Sequence, residues 1–109
     1  MTDQPLKGVI VIDFGIHGAG SACGKVLADW GADVIKVESL SGDVCRFSGA
    51  QLNLPTTEED NIHWEMLNGN KRSIAINMKT TEGREIMERL LAKANIFFTN
   101  MRMKAIEKI

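Results

Sequence analysis

Two short apolar runs flank a stretch of helical period, and this unit constrains the fold more than any other feature of the chain. The first, Val9-Ile10-Val11-Ile12-Asp13-Phe14, is continuous and rich in β-branched residues. It reads as a strand buried on both faces, as in a parallel sheet. The second, Asp33-Val34-Ile35-Lys36-Val37-Glu38, reads as its neighbour. Between them Gly15 to Gly20 predicts a loop, and Ala22, Val26, Leu27 and Trp30 predict the inward face of a helix that Gly31 ends. Strand, helix and strand in this order make a βαβ unit with a right-handed crossover.

The pattern recurs after a long excursion. Ser39 to Asn61 has no clean period and reads as a surface segment, followed by a short helix over Ile62 to Leu67 and a turn at Asn68-Gly69-Asn70. Ser73 to Asn77 predicts a third strand and Ile96 to Thr99 a fourth. The helix between them is N-capped by Thr80 and carries Ile86, Met87, Leu90, Leu91 and Ala94 on its apolar face. Arg102 to Ile109 looks helical. The alternation specifies an α/β fold with a mostly parallel sheet of about four strands. In such sheets ligands bind at the carboxyl ends of the strands, which directs attention to the segments after Phe14, Val37, Asn77 and Thr99.

Composition narrows the function classes. A chain of 109 residues with 25% charged and 44% hydrophobic residues is ordinary for one globular domain. A net charge of −1, with no basic tract interleaved with aromatics, argues against a nucleic-acid groove. The longest apolar run, Gly8 to Ile12, is far too short to cross a membrane. Cys23 and Cys45 form no C-x-x-C pair and read as free thiols, small buried hydrophobes in a reducing cytoplasm. The two histidines, His17 and His63, have no third partner at ligand spacing, so no metal is expected.

Three segments are candidate sites. Gly15-Ile16-His17-Gly18-Ala19-Gly20 precedes a helix whose unpaired N–H groups suit a phosphate or carboxylate. Glu38 follows Gly18 by twenty positions, where dinucleotide-binding proteins place the acid that holds a ribose hydroxyl. A nicotinamide site is therefore a rival reading, although Cys23 stands where its third glycine is expected. Asn70-Lys71-Arg72 puts adjacent cations beside a turn, either to hold phosphate oxygens or to solubilise a strand end. Asn100, after the fourth strand, can cap the next helix or bond a ligand amide.

The strings PLKGVIVIDF, LADWGADVIKVES, SGDVCR, NGNKRSIAINMKTTEGREI and NIFFTN, in this order, resemble the N-terminal region of family III CoA-transferases, the group containing formyl-CoA transferase and carnitine CoA-transferase. LADWGADVIKVESLSGDV looks most like the branch acting on 2-hydroxy acids such as phenyllactate or hydroxyisocaproate. The resemblance implies a Rossmann-like layered fold in which residues 1–109 form an incomplete N-terminal CoA-binding region. It implies a cytoplasmic enzyme, an interlocked homodimer, that moves CoA from an acyl-CoA to a small carboxylic acid, with no nucleic acid, membrane or metal involved. An aspartate carboxylate attacks the thioester, and exchange proceeds through a mixed anhydride and an aspartyl thioester. None of the aspartates here matches that nucleophile, so the 109 residues alone are expected to be inactive. By position, the resemblance puts the substrate loop on Ile16, His17, Gly18 and Ala19. CoA contacts fall on Ser39, Asn70, Lys71, Arg72, Asn100, Met101, Lys108 and Ile109. Ser39 replaces an arginine common in the family, and Met101, Met103 and Lys104 replace its phenylalanine, proline and glycine. The alternatives are an α-methylacyl-CoA racemase-like epimerase, which shares this region, and a CoA- or NAD-binding module without catalysis.

Overall fold

A computed structural model describes residues 3–109. The strands are β1 (Ile10–Asp13), β2 (Asp33–Glu38), β3 (Arg72–Ala75) and β4 (Ile96–Phe98). They form one sheet in the order β3-β2-β1-β4, and every pairing is parallel. The register sets Ile10 against Asp33 and Asp13 against Lys36 in the central pair. This order is the beginning of the doubly wound arrangement, whose ligand crevice opens where the strand order reverses. The helices are α1 (His17–Asp29), α2 (Cys45–Ser48), α3 (Ile62–Asn68), α4 (Thr81–Lys93) and α5 (Met103–Glu107), with a 3-10 turn at Gly49–Leu52.

Alternate residues of β1 face opposite ways, so the sheet carries a separate apolar cluster on each side. Val11 packs with Val34, Ala28 and Ala32 beneath α1. Ile12 packs with Val37, Ile76 and Met87 beneath α4. Towards the carboxyl end, the α1 side changes from apolar to ionic. Asp13, Lys36 and Glu38 follow Val11 and Val34 on that face, and all three are buried.

That change explains the largest departure from expectation. The stripe Ala22, Val26, Leu27, Trp30 does not face the sheet: Val26 and Trp30 are 57% and 58% exposed. The face turned inward is Gly20, Ser21, Gly24 and Ala28. A Cβ at Gly24 would lie 2.4 Å from Asp13 Oδ2 and 3.0 Å from Lys71 Nζ, so only a small-residue face brings α1 close enough to close over these charges. The glycine loop is correspondingly shorter than expected, with α1 starting at His17. Gly31 ends it at φ 102°, as the sequence suggests.

Elsewhere the differences are smaller. The excursion is not irregular throughout, since α2, the 3-10 turn and α3 pack on one another. On α4 the inward stripe is Gly83, Met87, Leu90 and Ala94, whereas Ile86 and Leu91 are each 39% exposed. Thr80 caps this helix by accepting the Gly83 N–H at 3.0 Å. Cys45 is buried but Cys23 is exposed, so only one of the two thiols is a core residue. No helix of the described chain is long and apolar enough to cross a membrane.

Candidate functional site

All four strands end on one cleft of about 780 Å³. Phe14, Gly15 and Ile16 line it from the end of β1, and Glu38 to Val44 from the end of β2. Ile76 to Lys79 line it after β3, and Met101, Lys108 and Ile109 after β4. Its volume lies within the range of small-molecule sites, and its position is the one that a doubly wound sheet favours.

The cleft holds two kinds of charge. Its acids are already neutralised. Glu38 binds Arg46 through two bonds of 2.7 Å and accepts the Asp43 N–H at 2.9 Å. The Arg46 guanidinium also stacks 3.8 Å from the centre of the Trp64 ring. Asp43 Oδ1 accepts the N–H groups of His17 at 3.0 Å and Cys45 at 2.9 Å. Lys36 Nζ stands 2.7 Å from Asp43 Oδ2, an ionic contact whose angles fall outside hydrogen-bond geometry. Burial pushes the Glu38 and Asp43 carboxyls up, but their partners outweigh it: Arg46 and the Asp43 N–H for Glu38, and the Cys45 N–H and Lys36 for Asp43. Both carboxyls therefore sit below their usual values. By contrast, Lys79, Arg84 and Lys108 border the cleft, and among the described residues none of them is in an ion pair.

The depressed carboxyls fix a pH dependence. A carboxyl whose folded value is lowered adds stability above its unfolded value and loses it as pH falls through the folded value. The urea midpoint is therefore expected to hold steady above about pH 5 and to fall steadily below about pH 4, the ordinary carboxylate range. Arg46→Met should flatten part of that fall. A midpoint that rises on acidification contradicts the assignment.

The structure places the sequence candidates unevenly. Ser39, Met101 and Lys108 line the cleft. His17, Gly18 and Ala19 form the first turn of α1, and Gly15 and Ile16 beside them reach the wall. Asn100 lies next to Met101, but its amide is engaged by the backbone of Ile16 at 2.8 Å on both sides. Asn70 and Lys71 precede β3 and Arg72 is its first residue, so all three stand at the amino end of that strand, and none lines the cleft. Asn70 binds Asp29 at 2.8 Å, and Arg72 binds Asp33 through two bonds of 2.9 and 2.7 Å. Lys71 is a buried structural cation. Its Nζ donates to Asp13 Oδ2, Ser21 O and Asn68 Oδ1, each at 2.8 Å, which accounts for all three of its protons. All three of these residues are thus engaged by groups of the chain itself, away from the cleft.

Glu38 is likewise neither a solvated strand end nor a free ribose acid, because Arg46 occupies both its oxygens. Sequence reading missed Lys79 and Arg84. The available signal was their position directly after the third strand, at the edge where the fold rule locates ligands.

A parallel sheet of order 3-2-1-4 with a cation-bordered cleft across its carboxyl edge defines an α/β domain of nucleotide-binding architecture. The chain belongs to CoA-transferase family III, whose model matches residues 6–109. It is 43% identical over 104 residues to an (R)-2-hydroxy-4-methylpentanoate CoA-transferase of Clostridioides difficile, covering 95% of this chain and 26% of that protein. It is 40% identical over 102 residues to a cinnamoyl-CoA:phenyllactate CoA-transferase of Clostridium sporogenes, covering 94% and 25%. Among solved structures, a CAIB/BAIF family protein from Brucella suis superposes with a TM-score of 0.87 at 36% identity, covering 98% of this chain and 28% of that one. The chain thus spans about a quarter of the length of the curated relatives it matches.

Proposed function

We propose that the cleft receives the phosphorylated part of a CoA thioester, and that the whole protein moves CoA from an acyl-CoA to a small carboxylic acid. The observation that carries this reading is the trio Lys79, Arg84 and Lys108, cations without counter-ions among the described residues, around a cleft whose acids are already paired. A ligand with several phosphates suits such a set, since charge-assisted bonds contribute about 1.5–3 kcal/mol each. Ser39 and Ser41 add hydroxyls to the lining, and Met101 adds an apolar side chain. The likeness to transferases of 2-hydroxy acids points to an acceptor of that class.

The nucleophilic carboxylate of this reaction lies outside the residues described. Asp43 is the aspartate that lines the cleft, and both its oxygens are held by Lys36, His17 and Cys45. On this reading the incoming carboxylate of another segment attacks the thioester carbonyl and expels the CoA thiolate, giving an anhydride. The thiolate then attacks the enzyme's carbonyl of that anhydride, releasing the donor's carboxylate and leaving an enzyme-bound thioester, and the acceptor acid reverses both steps. The same reading makes the whole protein a cytoplasmic homodimer.

Calorimetric titration of the chain with CoA tests the proposal. Binding should weaken as salt rises. Lys79→Ala and Lys108→Ala should each lower affinity about tenfold or more, as loss of one charged phosphate contact implies. Equal affinity for CoA and NAD, or unchanged affinity in both variants, sinks it.

A further inference from the structure

Gly15 and Ile16 have no regular secondary structure and His17 opens α1, yet side chains from four parts of the chain hold the backbone of these three residues. Gly15 N–H donates to Asp13 Oδ1 at 2.9 Å, and Gly15 C=O accepts from Lys36 Nζ at 2.7 Å. Ile16 N–H donates to Asn100 Oδ1 and Ile16 C=O accepts from Asn100 Nδ2, each at 2.8 Å. His17 N–H donates to Asp43 Oδ1 at 3.0 Å, and His17 takes a φ of 58°. A non-glycine residue in this left-handed region persists only where its surroundings hold it there.

The Asn100 contact is the most telling of the set. It pairs with a single peptide residue as another strand would, with donor and acceptor both satisfied, so only one orientation of its amide fits. It acts across 84 positions of sequence. Gly15 and Ile16 line the cleft, and so does Met101, the residue after Asn100.

We propose that Asn100 is a positioning residue: it fixes Ile16 so that this wall of the cleft is formed before any ligand arrives, and it does not itself bind the ligand. The proposal rests on reading the cleft as a CoA site. Its physical basis is that a loop ordered in the free protein removes an ordering cost from binding.

The test combines hydrogen exchange followed by NMR with CoA titration, on the unaltered chain, Asn100→Ala and Asn100→Asp. In Asn100→Ala the Ile16 amide should lose its protection, while the amides of β1 and β2 keep theirs. CoA affinity should fall about tenfold, equivalent to about 1.4 kcal/mol, and its salt dependence should not change. Asn100→Asp keeps an oxygen for the Ile16 N–H and should retain that amide's protection better than Asn100→Ala. Lower affinity with the Ile16 amide still protected would mean that Asn100 touches the ligand, and overturns the proposal. Lost protection with unchanged affinity overturns it too, as does a uniform loss across the sheet. If the unaltered chain does not bind CoA, the cleft reading itself fails and the proposal falls with it, whatever the exchange data show.

Discussion

Replacing Lys36 by Met is expected to remove about 3–5 kcal/mol of stability, the usual cost of leaving buried charges without their partner. Methionine nearly preserves the side-chain volume, so the loss is electrostatic. Lys36 is fully buried with its ammonium 2.7 Å from Asp43 Oδ2, 2.7 Å from Gly15 O and 3.9 Å from Asp13 Oδ1. Without it, Asp43 keeps two backbone donors but no counter-charge, and the Gly15 carbonyl loses its donor. Domains of this size have about 5–15 kcal/mol in total, so the variant should unfold on the order of 15 °C earlier. The double variant Lys36→Met with Asp43→Asn should recover part of the loss, because the orphaned charge is removed as well. Thermal and urea unfolding decide the matter. A single variant within about 1 kcal/mol of the parent would mean that solvent reaches this site.

Gly83→Ala sets two effects of known size against each other. Alanine in a helix interior gains about 1 kcal/mol over glycine. At Gly83, however, the added Cβ would lie 1.9 Å from Asn77 O and 2.7 Å from the carbonyl carbon. That oxygen cannot easily withdraw, since it accepts from Thr80 N–H at 3.2 Å and from Thr80 Oγ1 at 2.9 Å. Overpacking costs about 1–3 kcal/mol where side chains can yield, and here the neighbour is backbone, so the clash outweighs the gain. A net loss of about 2 kcal/mol or more is expected on melting. The turn Asn77-Met78-Lys79 lines the cleft, so on the proposed reading of that cleft CoA affinity should fall as well. The exposed Glu88→Ala serves as a control and should stay within about 0.5 kcal/mol. A Gly83→Ala chain as stable as this control would show that α4 can slide away from the turn.

How far the chain could be read without coordinates depended on whether local pattern or long-range partnership decided each element. β2 agrees with its sequence reading at both ends, because six residues of β propensity lie between a helix-ending glycine and a serine-rich turn. The inward face of α1 was misjudged because periodicity assigns large apolar residues to the core, whereas here a stripe of small ones closes over charges. Those charges were invisible locally. Lys36 looks like a solvent-facing strand lysine until Asp13 and Asp43 arrive from elsewhere in the chain. Of the residues that the family resemblance singled out, Ser39, Met101 and Lys108 lie on the cleft. Asn70, Lys71 and Arg72 stand at the start of β3, whereas the cleft is lined by the residues that follow that strand, a distinction that only the strand's direction in the sheet reveals.

The stacking of Arg46 on Trp64 gives the molecule a built-in optical gauge. The indole lies against the guanidinium that grips Glu38, and Glu38 forms part of the cleft wall, so a shift in that wall is passed through one residue to a fluorophore. The second tryptophan, Trp30, is well exposed at the far end of α1 and supplies a steady background against which changes in emission can be measured.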